Sequence, residues 1–242
     1  MTDTLRVENL DKYYGKKNVV RSLSFAMQSG ECVGLLGPNG AGKTTTFYMI
    51  CGFIKADGGS VFINDDDVTH KSMHIRSRLG LAYLAQEASI FRRLTVEENI
   101  MAVLENQRIE KSQRIAEMNR LISRFGLEEV RHQRGYTLSG GERRRTEIAR
   151  SLAQHPRFLL LDEPFAGIDP KAVYEIKRII REMQNDGIGV LLTDHNVRDA
   201  LEITTTSHII SEGRIIKSGN RDELVNDSEA RRIYFGEEFR LL

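Results

Sequence analysis

Eight residues carry the densest chemistry in this 242-residue chain: Gly37, Pro38, Asn39, Gly40, Ala41, Gly42, Lys43 and Thr44, followed directly by Thr45. Their spacing is G-x-x-x-x-G-K-[ST], a pattern that has meaning only between a strand and a helix. An apolar run, Cys32 to Leu36, precedes it, and the amphipathic run Thr46 to Ile50 follows it. Glycines at 37, 40 and 42 let the backbone curl until successive N–H groups converge on an anion, and the helix adds its positive end. Lys43 can reach the β- and γ-phosphates of a nucleotide, and the Thr44 hydroxyl can ligate Mg²⁺. These residues predict a site for a nucleoside triphosphate.

Further groups fit the same chemistry. Phe158 to Leu161 runs straight into Asp162-Glu163, so two carboxylates end a strand that reads as central in a parallel sheet, where ligands bind in open α/β sheets. Asp162 would hold the metal shell, and Glu163 would polarise an attacking water. Gln86 ends the apolar run Leu81 to Ala85, where a neutral amide can supply an oxygen to Mg²⁺. His195 ends the run Val190 to Thr193; a lone histidine is usually structural, but here its strand should neighbour the carboxylate strand, within reach of a γ-phosphate. Leu138-Ser139-Gly140-Gly141-Glu142 opens another helix. Ser139 reads as its N-cap, and the two glycines leave N–H groups bare at a positive helix end, which makes a second anion site. Arg143, Arg144 and Arg145 either reinforce that potential or face solvent. Two anion sites suit two copies of the chain better than one phosphate chain in a monomer.

The elements that must position these groups follow from periodicity. Leu5, Val7 and Leu10 set one alternating face, and Val19, Val20, Leu23 and Phe25 another. Between them, Tyr13 or Tyr14 can stack on a purine or simply cover core. A strand is expected over 60–65, with Asp65-Asp66-Asp67 as a solvated turn, since consecutive carboxylates diverge. From about Ile90 to Leu152 the pattern is helical. Thr95 and Glu98 make a capping box, Ile115, Met118, Leu121, Ile122 and Phe125 fall on one face, and Gly126 stands where a C-cap would. Phe91-Arg92-Arg93 puts an aromatic ring and two cations at the junction of two lobes, where a partner can dock. A helix through Val173 to Met183, a hairpin turning at Glu212-Gly213 and a last helix from Ser228 to Phe235, stopped by Gly236, complete the chain.

Composition excludes several classes. Forty per cent hydrophobic and 29% charged residues are ordinary for a globular domain. A net charge of +1 gives no global basic field, so no nucleic-acid partner is expected. No apolar run is long enough to span a bilayer, and the first residues lack the apolar region of a secretion signal. Cys32 and Cys51 read as buried free thiols in a reducing compartment, and the cytosol is the expected address. A guanine-reading Asn/Thr-Lys-x-Asp is missing, which argues against a GTP switch. A mechanoenzyme on DNA or ribosomes would call for a basic surface, a long coiled-coil insertion or tandem cassettes.

The ordered set Gly37–Thr44, Gln86, Leu138–Glu142, Leu161–Glu163, Ala166–Asp169 and His195 resembles the ATP-binding cassette ATPases over essentially the whole chain. The resemblance implies one α/β domain over 1–242 with a mostly parallel core sheet. Residues 1–88 and 156–242 would form the core with an N-terminal antiparallel β subdomain, and 89–155 an inserted helical subdomain. It implies ATP and Mg²⁺ as ligands, Glu163 and His195 as catalytic groups, and Tyr14 as the adenine-stacking ring. It also implies a homodimer in which Ser139 to Glu142 of one copy face the phosphate loop of the other. The signature ends in Glu142 where Gln is commoner. The stretches 45–49, 86–93, 138–145, 162–166, 193–198 and 234–241 are similar to ATPase subunits of bacterial lipopolysaccharide exporters, with those of branched-chain amino-acid importers as close cousins. That likeness implies two integral-membrane partner subunits met at Phe91 and Arg92, and a peripheral place on the cytoplasmic face of the inner membrane.

Overall fold

In the computed structural model, which describes residues 2–235, the alternating N-terminal residues fold into an antiparallel sheet. Strand β1 (Thr4–Tyr14) pairs with β2 (Lys17–Gln28) on one side and with the later β4 (Gly58–Ile63) on the other. The apolar positions 5, 7 and 10 break a strict period of two. The register shifts between Val7 and Leu10, where Asn9 takes φ 49°, and that bulge returns Leu10 to the buried face beside Leu5 and Val7. The strand expected over 60–65 runs from Gly58 to Ile63, and Asp66–Asp67 forms the short β5 that pairs back onto it. Asp67 accepts a hydrogen bond from the Thr69 N–H.

The second sheet has the order β10-β9-β3-β8-β7-β6. Strands β3 (Cys32–Leu36), β6 (Leu81–Leu84), β7 (Phe158–Asp162), β8 (Gly189–Thr193) and β9 (Thr206–Ser211) are parallel, and β10 (Arg214–Gly219) closes the edge as a hairpin with β9. Every residue of β3, β7 and β8 is buried. Phe158 and Leu160 face the antiparallel sheet, while Leu159 and Leu161 face the helices on the other side. A strand covered on both faces reads as a continuous apolar run, and each large side chain so buried contributes roughly 1.5–3 kcal/mol. Because these strands are parallel, their carboxyl ends share one edge. Gly37, Gln86, Glu163 and His195 all follow strand ends on that edge.

Helix α1 (Lys43–Cys51) leaves the phosphate loop, and α2 (Met73–Arg78) precedes β6. Between β6 and β7 lie α3 (Val96–Leu104), α4 (Lys111–Arg124) and α5 (Gly140–Leu152). Thr95 and Glu98 do form a capping box at α3, and Gly126 takes φ 58° just past α4. The apolar stripe of α4 is narrower than expected: Met118, Leu121, Ile122 and Phe125 are buried, but Ile115 lies one turn too far from the core and is exposed. After β7 come α6 (Pro170–Asn185), capped by Asp169, and α7 (Val197–Ile203); α8 (Arg221–Asn226) follows the hairpin. The last expected helix does run over Ser228 to Phe235, as one α-turn, α9 (Ser228–Ala230), that widens into a π-helix over Arg231–Phe235. Gly236 and the tail lie outside the described residues.

Candidate active site

The phosphate loop is fixed by close backbone approach. A Cβ on Gly37 would stand 2.1 Å from the Ile210 carbonyl of β9, so a side chain there would displace the strand. Gly42 takes φ 106°, and a Cβ on it would meet the Val19 carbonyl at 2.8 Å. The same carbonyl would clash with a Cβ on Gly213, and Gly213 itself is tied in both directions. Its N–H donates to the Ala41 carbonyl (2.9 Å), and its carbonyl accepts from the Arg21 N–H (2.8 Å). Gly42 is also the N-cap of α1, with no side-chain cap. The first N–H groups of that helix are therefore left to an outside acceptor.

Lys43 is buried and turned back on the loop, its Nζ donating to the carbonyls of Gly37 (2.8 Å) and Pro38 (3.0 Å). Burial lowers its pKa, and the carboxylates of Glu163, Asp162 and Asp194 act against that shift. Thr44 is exposed. A cavity of about 170 Å³ opens beside these groups, lined by Gly40, Lys43, Thr44 and Thr45 on one side and Glu163 and His195 on the other.

Asp162 and Glu163 differ in how they are held. The Asp162 carboxylate accepts from the Thr193 hydroxyl (2.8 Å) and the Tyr83 hydroxyl (3.3 Å). Glu163 stands just past the strand at φ 47°, its N–H donating to the Thr193 carbonyl (3.0 Å). A non-glycine residue at positive φ where a buried strand ends is a strained conformation of the kind that gathers at functional sites. Both its carboxylate oxygens are engaged: Oε2 accepts from Gln86 Nε2 (2.6 Å), and Oε1 lies 2.5 Å from His195 Nε2. His195 is half-exposed, whereas Glu163 is buried. Beneath His195, the Asp194 carboxylate accepts from the N–H groups of Asn196 (2.7 Å) and Phe165 (3.1 Å), and burial raises its pKa despite them.

The structure thus brings the phosphate loop, Asp162, Glu163, Gln86 and His195 together. It keeps Ser139, Gly141 and Glu142 out of the Lys43 cavity; Gly140 lines only a separate space of about 40 Å³ with Gln86 and Glu163. Ser139 caps α5 as expected, but in a closed capping box. Its hydroxyl donates to Glu142 Oε2 (2.7 Å), and the same carboxylate accepts from its own N–H (2.8 Å). Tyr13 and Tyr14 are both exposed at the end of β1, with the Lys12 ammonium 5.7 Å from the Tyr14 ring centre. Phe91 is 50% exposed, and the Arg150 guanidinium lies 4.8 Å from its ring centre; Arg92 is exposed.

The arginine triplet is corrected in part. Arg144 does not face solvent: it is buried and donates to the carbonyls of Ala85 (2.8 Å) and Asp162 (3.3 Å). Arg145 pairs with Glu175. Sequence reasoning also passed over Glu147 and Arg150. Spacing by three from Arg144 puts all of these charges along one face of α5, a signal that was open to reading.

Catalysis of phosphoryl transfer to water by a carboxylate base beside a phosphate cradle is what this arrangement can do. Residues 20–166 match the family model described as ABC transporter. The chain belongs to that family and is one of its ATPases. It is 51% identical over 239 residues to the lipopolysaccharide export system ATP-binding protein LptB of Escherichia coli (strain K12), covering 98% of this chain and 99% of that one. The protein of the same description from Acidithiobacillus ferridurans is 48% identical over the full length of both chains. Among solved structures, the ADP conformation of MJ1267, an ATP-binding cassette of an ABC transporter, superposes with a TM-score of 0.87 at 26% identity, covering 98% of this chain and 100% of that one.

Proposed function

We propose that this ATPase is the motor of a lipopolysaccharide export system, working as a homodimer beneath two membrane subunits at the cytoplasmic face of the inner membrane. The observation that carries the hydrolytic reading is the Glu163 carboxylate, held between Gln86 and His195 on the wall of the Lys43 cavity. The cargo rests on likeness to LptB across both chains. Among the described residues no helix is long and apolar enough to cross a membrane, so attachment would run through partners. Phe91 and Arg92, exposed next to the loop that bears Gln86, are the proposed contact, and residues 89–155 act as the helical subdomain.

The donor set fits Mg²⁺, a hard cation that prefers oxygen ligands. The exposed Thr44 hydroxyl, the Asp162 carboxylate and the Gln86 amide oxygen would hold it, with Thr193 and Tyr83 orienting Asp162 from behind. Bound there, the ion would supply positive charge against the phosphates of ATP.

Lys43 exchanges two carbonyl acceptors for phosphate oxygens, a trade of neutral for charge-assisted hydrogen bonds that favours ATP. The open N–H groups of α1 join it. Each Glu163 oxygen keeps a second lone pair, and a shift of Gln86 or His195 opens the carboxylate further to the attacking water. Gln86 would be among the groups that hold the metal through its amide oxygen, and His195 turns to the γ-phosphate and stabilises charge as the bond breaks. Ser139 to Gly141 of the second copy close the far side, and Tyr14 stacks on adenine. Loss of the γ-phosphate removes what bridges the two copies, and they part.

Glu163→Gln tests this directly. ATP binding should persist while turnover falls roughly 10²–10⁴-fold, as removal of a general base does. Phosphate release close to the wild-type rate would refute the base assignment.

A further inference from the structure

Glu147 is 2% exposed and takes no part in the hydrolytic steps above. Its Oε1 accepts from two backbone N–H groups, Ser89 (2.7 Å) and Ile90 (3.1 Å), and its Oε2 lies 3.4 Å from Arg144 Nη1. Arg144 in turn donates to the Ala85 and Asp162 carbonyls. Arg150, one turn on, donates to the Ser89 carbonyl (2.8 Å) and hydroxyl (2.7 Å). The segment that carries Gln86 is thus pinned to α5 before it, at Ala85, and after it, at Ser89 and Ile90. Only Gln86, Glu87 and Ala88 lie between the pins.

We propose that Glu147 is a positioning residue that clamps the 85–90 segment to the signature-bearing helix α5 and so governs how Gln86 reaches Glu163. A carboxylate accepting from two backbone amides is held by charge-assisted bonds. Its partners are main-chain groups that no side-chain rotation can carry away. Three residues between fixed ends give Gln86 a short arc, since each residue spans at most about 3.6 Å. Gln86 therefore travels with α5, whose first turn is Ser139 to Gly141. Displacement of that turn by the second copy's nucleotide reaches Gln86 as rigid-body motion, and Oε2 of Glu163 is released. The clamp explains a buried charge that ordinary packing would not select, because an apolar residue of the same volume would leave two amide donors unpaired.

This inference rests on the proposed role of Gln86, and a double-mutant cycle in the full-length chain separates the two. Steady-state ATPase is measured for Glu147→Gln, Gln86→Ala and the pair, with melting temperature followed for each. Glu147→Gln should lower kcat about tenfold with KM for ATP within about twofold, and should lower it no further in the Gln86→Ala background. Multiplying effects, or a kcat for Glu147→Gln equal to wild type, would overturn the clamp while leaving the Gln86 role standing. Unchanged turnover and Mg²⁺ dependence in Gln86→Ala would instead remove that role, and the clamp's meaning with it. Should Glu147→Gln not yield folded protein, Arg144→Lys runs the same cycle: it keeps a cation beside Glu147 but loses the fork that joins Ala85 to Asp162. The same non-additivity is expected there, and simple multiplication would count against the clamp.

Discussion

Two glycine-bearing helix starts in this molecule solve opposite problems. At α1, Gly42 offers no side-chain cap, the N–H groups stay open, and a buried lysine waits beside them. At α5, Ser139 and Glu142 close on each other, which pairs the N–H groups of those two residues and sets an anionic group at the positive end of the helix. The first start leaves its donors to an outside anion. The second holds its own carboxylate, which a phosphate arriving there would meet. Open and closed starts in one chain fit a nucleotide gripped first by one copy and only afterwards by its mate.

The strongest way to break this contrast is Lys43→Ala. It should cut ATP affinity by about 10–100-fold, the worth of one or two charge-assisted hydrogen bonds, measured by calorimetry. An affinity like that of wild type would mean the open start does not depend on its lysine. Ser139→Ala should cost about 1 kcal/mol of stability through the lost cap and also abolish the ATP-driven dimer of a Glu163→Gln protein, read by sedimentation. Its control is Thr95→Ala, which opens the matching capping box of α3: a similar fall in stability is expected, with dimerisation and ATPase intact. If both variants dimerise alike, the signature start has no special role.

The smallest effect comes from Glu142→Gln. Bonds from the Ser139 hydroxyl and N–H hold the Glu142 carboxyl below its usual pKa. A depressed carboxyl pKa stabilises the fold above the unfolded value, near 4.3, and that contribution disappears as pH falls through the folded value. The amide variant should therefore lose part of the acid-side slope of stability against pH, seen in urea melts between about pH 5 and 2. With no anion to displace, its ATP-dependent dimer should also tighten by a few-fold. A weaker dimer would argue that Glu142 contacts the incoming nucleotide favourably.

What could be read from residues alone divides along physical lines. The strands around the site announced themselves because burial on both faces makes Val33 to Leu36, Phe158 to Leu161 and Val190 to Leu192 uninterrupted apolar runs. The phosphate loop was legible because its glycines have backbone reasons to be glycines, as the Gly37 and Gly42 approaches bear out. Helices α2 and α7, at six and seven residues, were not found, since they are too short to display a period. Ile115 misled because a stripe read at fixed spacing does not reveal where the neighbouring surface ends. The engagement of both Glu163 oxygens, and the turn of Arg144 toward the carbonyls of Ala85 and Asp162, depend on groups meeting across 18 to 77 residues of chain. No local pattern encodes such meetings.

The junction at the Val19 carbonyl has a consequence for substrate length. Chain from the β2 strand, the phosphate loop and the β9–β10 hairpin converge there so tightly that neither Gly42 nor Gly213 can carry a side chain. The antiparallel sheet, which presents Tyr13 and Tyr14, is thereby riveted to the loop that presents Lys43. Under the proposed placement of adenine on Tyr14, base and phosphates would be held at a set interval. The junction works as a caliper set by backbone, so the interval between those two surfaces does not drift with side-chain motion.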